Sequence, residues 1–161
     1  TFLEKHVQMH CNDIPSAMLL AERQIGKDRA AAIKTYEQVL AKTPDNFVVL
    51  NNLAFLALED KKLTRAEELA KKAVSLQREN ADAADTLAQI YIAKGDKAAA
   101  LKLYEEVAAR PIANDDVYLN YVSVLLELDK KALASRKLAS REFKSEAAKQ
   151  RAESLKQQYG L

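Results

Sequence analysis

Apolar residues recur at helical spacing along the chain, as in Leu50, Leu53, Ala54 and Ala57 and then in Ala66, Leu69, Ala70 and Ala73. The pattern predicts successive amphipathic helices. Short polar breaks divide them into pairs: Gly26-Lys27-Asp28, Asp60-Lys61-Lys62, Gly95-Asp96 and Asp129-Lys130-Lys131. Gly95 is expected to close a helix in the left-handed conformation, and the Asp residues to cap the helix that follows.

The pairs repeat. Alanine stands at 32, 66, 100 and 134, Leu19, Leu53, Leu87 and Tyr121 form an apolar column at the same 34-residue step, and Asn12, Asn46, Asn80 and Asn114 form a polar one. Counting from Asp13, the repeats run 13–46, 47–80, 81–114 and 115–144, the last of them degenerate, and 145–161 reads as a terminal capping helix. Each Asn precedes a new helix, where its side-chain oxygen is expected to accept from an unpaired backbone N–H. Pro44 and Pro111 are expected to end the preceding helices, since proline cannot continue the backbone ladder. Asn12 follows the same pattern, so residues 1–12 read as the end of a preceding repeat in a longer array. The alanine column marks a close helix crossing, and Tyr36 and Tyr104, four residues on, are expected to fill the space between neighbouring repeats.

Composition supports an all-α fold. Of 161 residues 48% are hydrophobic, with three Gly, three Pro and no Trp, which suits long helices rather than strands and turns. The single Cys11 excludes an internal disulfide framework and leaves the compartment open. No apolar run approaches the roughly 20 residues that span a bilayer, and the N-terminus lacks the basic and apolar segments of a signal peptide. The formal charge of +2 conceals an asymmetry: residues 129–161 hold nine Lys or Arg against four Asp or Glu. That basic end, with Lys130, Lys131, Arg136, Lys137, Arg141, Lys144, Lys149 and Arg151, offers RNA or an anionic surface as a partner, although a solvated helix face explains it more simply.

In repeat three, Leu87-Ala88, Tyr91, Gly95-Asp96, Ala100, Tyr104 and Pro111 resemble the tetratricopeptide repeat family. Repeat two follows through Leu50, Leu53-Ala54, Ala66 and Ala73 but carries Arg78 where proline is usual, and repeat one through Ala32, Tyr36, Val39 and Pro44. Repeat four departs most, with Val122 at a usually small position and Arg141 in place of a small stacking residue. The resemblance implies a right-handed superhelical α-solenoid of helix-turn-helix repeats with a C-terminal capping helix. The run Leu50-Asn51-Asn52-Leu53-Ala54-Phe55-Leu56, followed by Asp85-Thr86-Leu87-Ala88, is also similar to bacterial cell-envelope repeat proteins. These include lipoproteins of exopolysaccharide export and PEP-CTERM systems and the pilotins of pilus assembly, which implies a periplasmic-side assembly scaffold.

In this family the first helix of each repeat lines a concave surface. Here that implies Ile14, Ala17, Ala21 and Gln24 in repeat one, then Val48, Asn51, Phe55 and Leu58, then Asp82, Asp85, Gln89 and Ile92, then Asp116, Leu119, Ser123 and Leu126. From these we take Val48, Asn51, Asn52, Phe55, Leu58, Asp82, Asp85, Gln89, Asp116 and Leu119 as the candidate peptide-binding set. Phe55 is the aromatic anchor, and the two Asn amides are able to bond a peptide backbone. The arrangement of Lys, Asn and Arg with which some members hold a C-terminal carboxylate is missing. In one register the positions fall on Ala17 and Ala21, then Asn52, then Asp82 and Thr86, and in the other on Asn51 and Phe55, then Thr86, then Asp116 and Asn120, so neither supplies the cations that a carboxylate needs.

Chemistry is scarce. His6 and His10 lie one turn apart with Cys11 beside them, a generic metal-ligand spacing with no carboxylate motif, so no metal is expected there. No Gly-rich phosphate loop or nucleophile elbow is present, and acidic pairs such as Glu67-Glu68 and Glu105-Glu106 read as solvated faces, so neither catalysis nor a cofactor is expected. The leading reading is a scaffold that binds a protein or peptide in the concave face rather than a small-molecule substrate. Self-association through edges and convex face is the alternative, and nucleic acid ranks last. If the alanine column marks a tight crossing, Ala66→Leu and Ala100→Leu each lower stability by roughly 1–3 kcal/mol, read as a fall in the thermal midpoint.

Overall fold

Helix formation in this chain is governed by how each helix starts and stops. The computed structural model describes residues 1–10 and 12–161, and the described residues form ten α-helices: α1 (Phe2–Met9), α2 (Ile14–Ile25), α3 (Arg29–Lys42), α4 (Phe47–Glu59), α5 (Leu63–Leu76), α6 (Ala81–Ala93), α7 (Lys97–Val107), α8 (Asp115–Glu127), α9 (Lys131–Ala139) and α10 (Glu146–Tyr159). Two compact units divide them, Thr1–Gln77 with α1–α5 and Arg78–Leu161 with α6–α10. In the first unit α2 pairs with α3 and α4 with α5, α3 packs on α4, and α1 lies against α2. In the second, α6 pairs with α7 and α8 with α9, both α6 and α7 reach α8, and α10 packs on α8 and α9.

The asparagine column caps as expected at three of its four positions. Asn46 Oδ1 accepts from the Val49 N–H at 3.1 Å, Asn80 from Asp82 and Ala83, and Asn114 from Asp116. Asn12 does not cap α2; Asp13 does, accepting from the Ser16 N–H at 3.2 Å. The third residue of a helix begun at Asn12 would be Pro15, which has no N–H to give, whereas Asp13 finds Ser16 in that place. Of the Asp residues in the polar breaks, Asp28 and Asp96 cap α3 and α7. Asp60 and Asp129 do not, because Lys62 and Lys130 take the N-cap positions of α5 and α9, with no side-chain capping bond.

The reason lies in how the first helix of a pair closes. Lys61 (φ 58°), Gly95 (φ 86°) and Asp129 (φ 57°) share the left-handed conformation, each 34 residues from the last. The next residue in each case donates its N–H back five residues, Lys62 to Ala57 O, Asp96 to Tyr91 O and Lys130 to Leu125 O, at 2.8–2.9 Å. This double-bonded closure satisfies the last helix carbonyls, and it fixes the next N-cap one residue later. Only repeat three has glycine and aspartate in those two places. Gly26, by contrast, sits at φ −83°, so repeat one closes without a left-handed residue.

Repeat one is therefore out of register in its first helix. Ala17, Leu20 and Ala21 are its buried positions, each 33 residues before Leu50, Leu53 and Ala54 of α4, and the cap Asp13 likewise precedes Asn46 by 33. The slip starts at Pro15 and is absorbed in the turn at Gly26. One consequence is that Leu19, expected in the apolar column, is 44% exposed while Leu53, Leu87 and Tyr121 are buried.

The alanine column is wholly buried at Ala32, Ala66, Ala100 and Ala134, and so are Tyr36 and Tyr104. The Tyr104 and Tyr121 rings stack at 5.5 Å. Arg141 ends the pattern. Its guanidinium lies 4.3 Å over the Tyr118 ring, donates from Nη2 to Asp115 Oδ1 at 2.6 Å, and reaches the Ile112 and Ala113 carbonyls. The Lys144 N–H, then Arg141, hold the Asp115 carboxyl below the usual range. A small residue there would leave those carbonyls open; Arg141 instead ties the segment before α10 to the loop before α8.

A non-glycine residue in the left-handed region costs roughly 1–2 kcal/mol, against about 0.5–1 kcal/mol for the extra chain freedom of glycine. Lys61→Gly is accordingly expected to raise the thermal midpoint by roughly 1–3 °C, whereas Gly26→Ala, at a position with ordinary φ and open space around it, does not lower it.

Candidate functional site

Val48 and Phe55 stand two turns apart on α4, and both keep a large part of their surface in solvent, 42% and 47%. The same helix buries Val49, Leu50, Leu53, Ala54, Leu56 and Ala57, so its apolar content exceeds what one core face can take. Between the exposed pair lie Asn51 and Asn52, both half-buried, and Leu58 follows one turn after Phe55, also half-buried. Asn52 donates from Nδ2 to the Tyr36 hydroxyl at 3.0 Å, which locks that amide into the α3–α4 packing. Asn51 Oδ1 is buried without a hydrogen-bond partner. An unpaired buried carbonyl costs roughly 1–3 kcal/mol.

The repeat-one residues expected on this surface lie elsewhere. Ala17 and Ala21 are buried, and Ile14, Ala17, Leu20 and Gln24 line a cavity of about 600 Å³ shared with Glu4, Val7 and Gln8 of α1 and with α3. Gln24 there accepts from the Thr35 hydroxyl at 2.9 Å. The slip has rotated α2 by one residue, about 100°. In the places equivalent to Val48, Asn52 and Phe55 it presents Pro15, Leu19 and Glu22, all exposed. The signal was in the sequence, since Pro15 three residues after Asn12 removes one of the two N–H groups that the asparagine caps use.

In the second unit the candidate residues separate into two kinds. Asp82 and Asp116 are exposed at the starts of α6 and α8, where the helix dipole favours a carboxylate. Asp82 accepts from Asn114 Nδ2 at 2.9 Å. Asp85 and Gln89 belong instead to an internal network: the Tyr104 hydroxyl donates to Asp85 Oδ1 at 2.5 Å, Asn120 Nδ2 donates to the same oxygen at 2.8 Å, and Gln89 Nε2 reaches the Tyr104 oxygen at 3.2 Å. Arg151 of α10 extends it, donating to Asn120 Oδ1 at 2.6 Å and lying 3.6 Å from Asp116. Burial pushes the Asp85 carboxyl above its ordinary range, against the pull of its hydrogen bonds, and burial with the adjacent Asp85 charge raises the Tyr104 phenol. Leu119 is wholly buried and is not a surface residue. Because α10 packs on α8, the face that α4 leaves open is covered there, and Leu126 is buried with it.

The basic end is largely engaged. Arg141 and Arg151 are held as described, Lys149 pairs with Glu146 at 3.8 Å, Lys131 Nζ donates to the Tyr159 carbonyl, and Lys137 sits 4.6 Å over the Tyr121 ring. At the other end the His6 and His10 rings are 4.6 Å apart, and His6 Nε2 bonds Asp13 Oδ2 at 2.9 Å. Ser16, then His6, hold the Asp13 carboxyl down at about 2. Cys11 lies outside the described residues, and among those described no three His, Cys, Asp or Glu side chains are placed to hold a metal ion. No helix of the described residues is long and apolar enough to cross a membrane.

Residues 26–90 match a family model described as tetratricopeptide repeat, and residues 80–110 match a second model of the same description. No curated protein sequence matches the chain. Among solved structures, PilF of Pseudomonas aeruginosa is similar with a TM-score of 0.75 at 19% identity, over 98% of this chain and 82% of that one. A crystal structure of MamA is similar with a TM-score of 0.71 at 14% identity, over 98% and 88%. The O-GlcNAc transferase of Thermobaculum terrenum matches 70% of this chain, with a TM-score of 0.65 at 20% identity, through 22% of its own length. At these identities the likeness is one of fold.

Asp85 makes the stability of the chain depend on pH in a defined direction. A carboxyl whose folded pKa is raised contributes stability that is fully present below the unfolded value of about 4, and that stability is lost as pH rises through the folded value. Asparagine at 85 keeps a carbonyl oxygen for both donors and cannot ionise. Asp85→Asn is therefore expected to melt above the parent at pH 8 and to match it near pH 4, as followed by circular dichroism.

Proposed function

We propose that this chain, which carries tetratricopeptide repeats over residues 26–110, is a non-catalytic scaffold that docks a peptide segment or a helix of another protein on the open face of α4. Repeats of this family mediate protein–protein interactions. The observation that carries the reading is that Val48 and Phe55, two turns apart on one face of α4, keep 42% and 47% of their surface in solvent. Aromatic side chains flanked by apolar neighbours are the commonest binding anchors, and an amide can pair with a peptide backbone as both donor and acceptor. Asp82 and Asp116 form an acidic polar face in the second unit, suited to a contact at the rim of an interface. Asp85 and Gln89 contribute through their network rather than by direct contact.

The resemblance of the 50–56 and 85–88 runs to cell-envelope repeat proteins supports a place in a bacterial assembly or export system on the periplasmic side. A second reading, self-association through the edges, draws support from α1, which leaves Phe2 and Met9 84% and 73% exposed. RNA binding finds less support, since Arg141 and Arg151 already serve internal carboxylates and carbonyls.

Selection of peptides from a displayed library on the immobilised chain tests the docking face. Phe55→Ala is expected to weaken the selected peptides by about 2 kcal/mol, roughly thirtyfold, while the thermal midpoint stays within about 2 °C because the side chain is half in solvent. Unchanged affinity in the variant removes α4 from the site.

A further inference from the structure

The register slip of α2 gives the first unit a second ligand-facing helix whose chemistry differs from that of α4. Had the regular step been kept, Ala17 and Ala21 would face outward; instead Leu19 is 44% exposed and Glu22 is exposed one turn further on. Two contacts link this helix to α4 and its neighbour. The cap residue of α4, Asn46, reaches Met18 Sδ of α2 at 3.7 Å, beside Leu19, and Asn52 of α4 bonds the Tyr36 hydroxyl of α3. Leu19 and Glu22 on α2 and Val48 and Phe55 on α4 are all exposed.

Glu22 is the unmatched charge on that surface. It makes no ion pair or hydrogen bond among the described residues, whereas the guanidinium on the next helix, Arg29, is committed to Glu59 and Asp60. An exposed carboxylate among apolar side chains does little for the free chain, but it selects the charge of what docks there.

We infer that the partner segment is cationic amphipathic: it sets apolar side chains against Leu19, Val48 and Phe55 and places a lysine or arginine against Glu22. This rests on the docking reading above and adds the charge of the occupant. The slip is what makes the site possible, because an alanine surface at 17 and 21 would offer neither apolar grip nor charge.

The test is a paired selection from one displayed peptide library on the parent chain, Glu22→Lys and Phe55→Ala, with thermal melts to show that all three are folded. The parent is expected to enrich peptides with Lys or Arg beside apolar residues. Glu22→Lys is expected to bind those peptides on the order of tenfold more weakly and to enrich Asp or Glu in their place. If Phe55→Ala loses the peptides but Glu22→Lys enriches the same sequences as the parent, the docking face stands and the cationic partner is wrong. If the parent enriches nothing, or Phe55→Ala binds as the parent does, both fail together.

Discussion

Each helix pair packs through an alanine of its second helix, and Ala32, Ala66, Ala100 and Ala134 occupy that point with no exposure at all. Everything around the crossing follows from it. With a small residue buried there, the larger side chains four residues on, Tyr36 and Tyr104, are buried beside it and bring their hydroxyls to Asn52 and to Asp85. Those hydroxyls need partners once buried. Polar residues on the first helices, Asn52 in one unit and Asp85 with Asn120 in the other, are thus consequences of how tightly the pairs pack.

The same packing logic explains why the two units present different surfaces. In the second unit α10 covers α8, so Leu119 and Leu126 enter the core and Arg151 completes a polar network that ends at a buried carboxylate. In the first unit α4 keeps one apolar face open, and α2 has turned by one residue so that a leucine and a glutamate accompany it. Pro15 withholds one cap donor from Asn12; the cap of α2 stands at Asp13, and every buried position of the helix is shifted with it.

How much of this was legible beforehand depends on the kind of residue. Caps at Asn46, Asn80 and Asn114 and the alanine crossings are local or strictly periodic, so the sequence showed them directly. The closures at Lys61 and Asp129 were not legible by composition, because neither is the glycine that normally marks a left-handed residue; only their 34-residue spacing from Gly95 identifies them. Among the candidate site residues, Val48, Phe55, Asp82 and Asp116 are exposed, while Leu119 is buried and Asp85 and Gln89 are tied inward. A helical position says which face a side chain takes, but not what packs against that face.

The sequence by itself determined the all-α fold, the pairing of its helices and the places where they start and cross, because helix periodicity, capping and small-residue contacts act within a few residues or at a fixed repeat. Tertiary structure alone decided which first-helix faces stay open, which carboxylate is buried and which arginines are spent on carbonyls. Those outcomes depend on the rotation of one helix against another and on what a later helix covers, and a one-residue slip or an added helix changes them without changing the repeat.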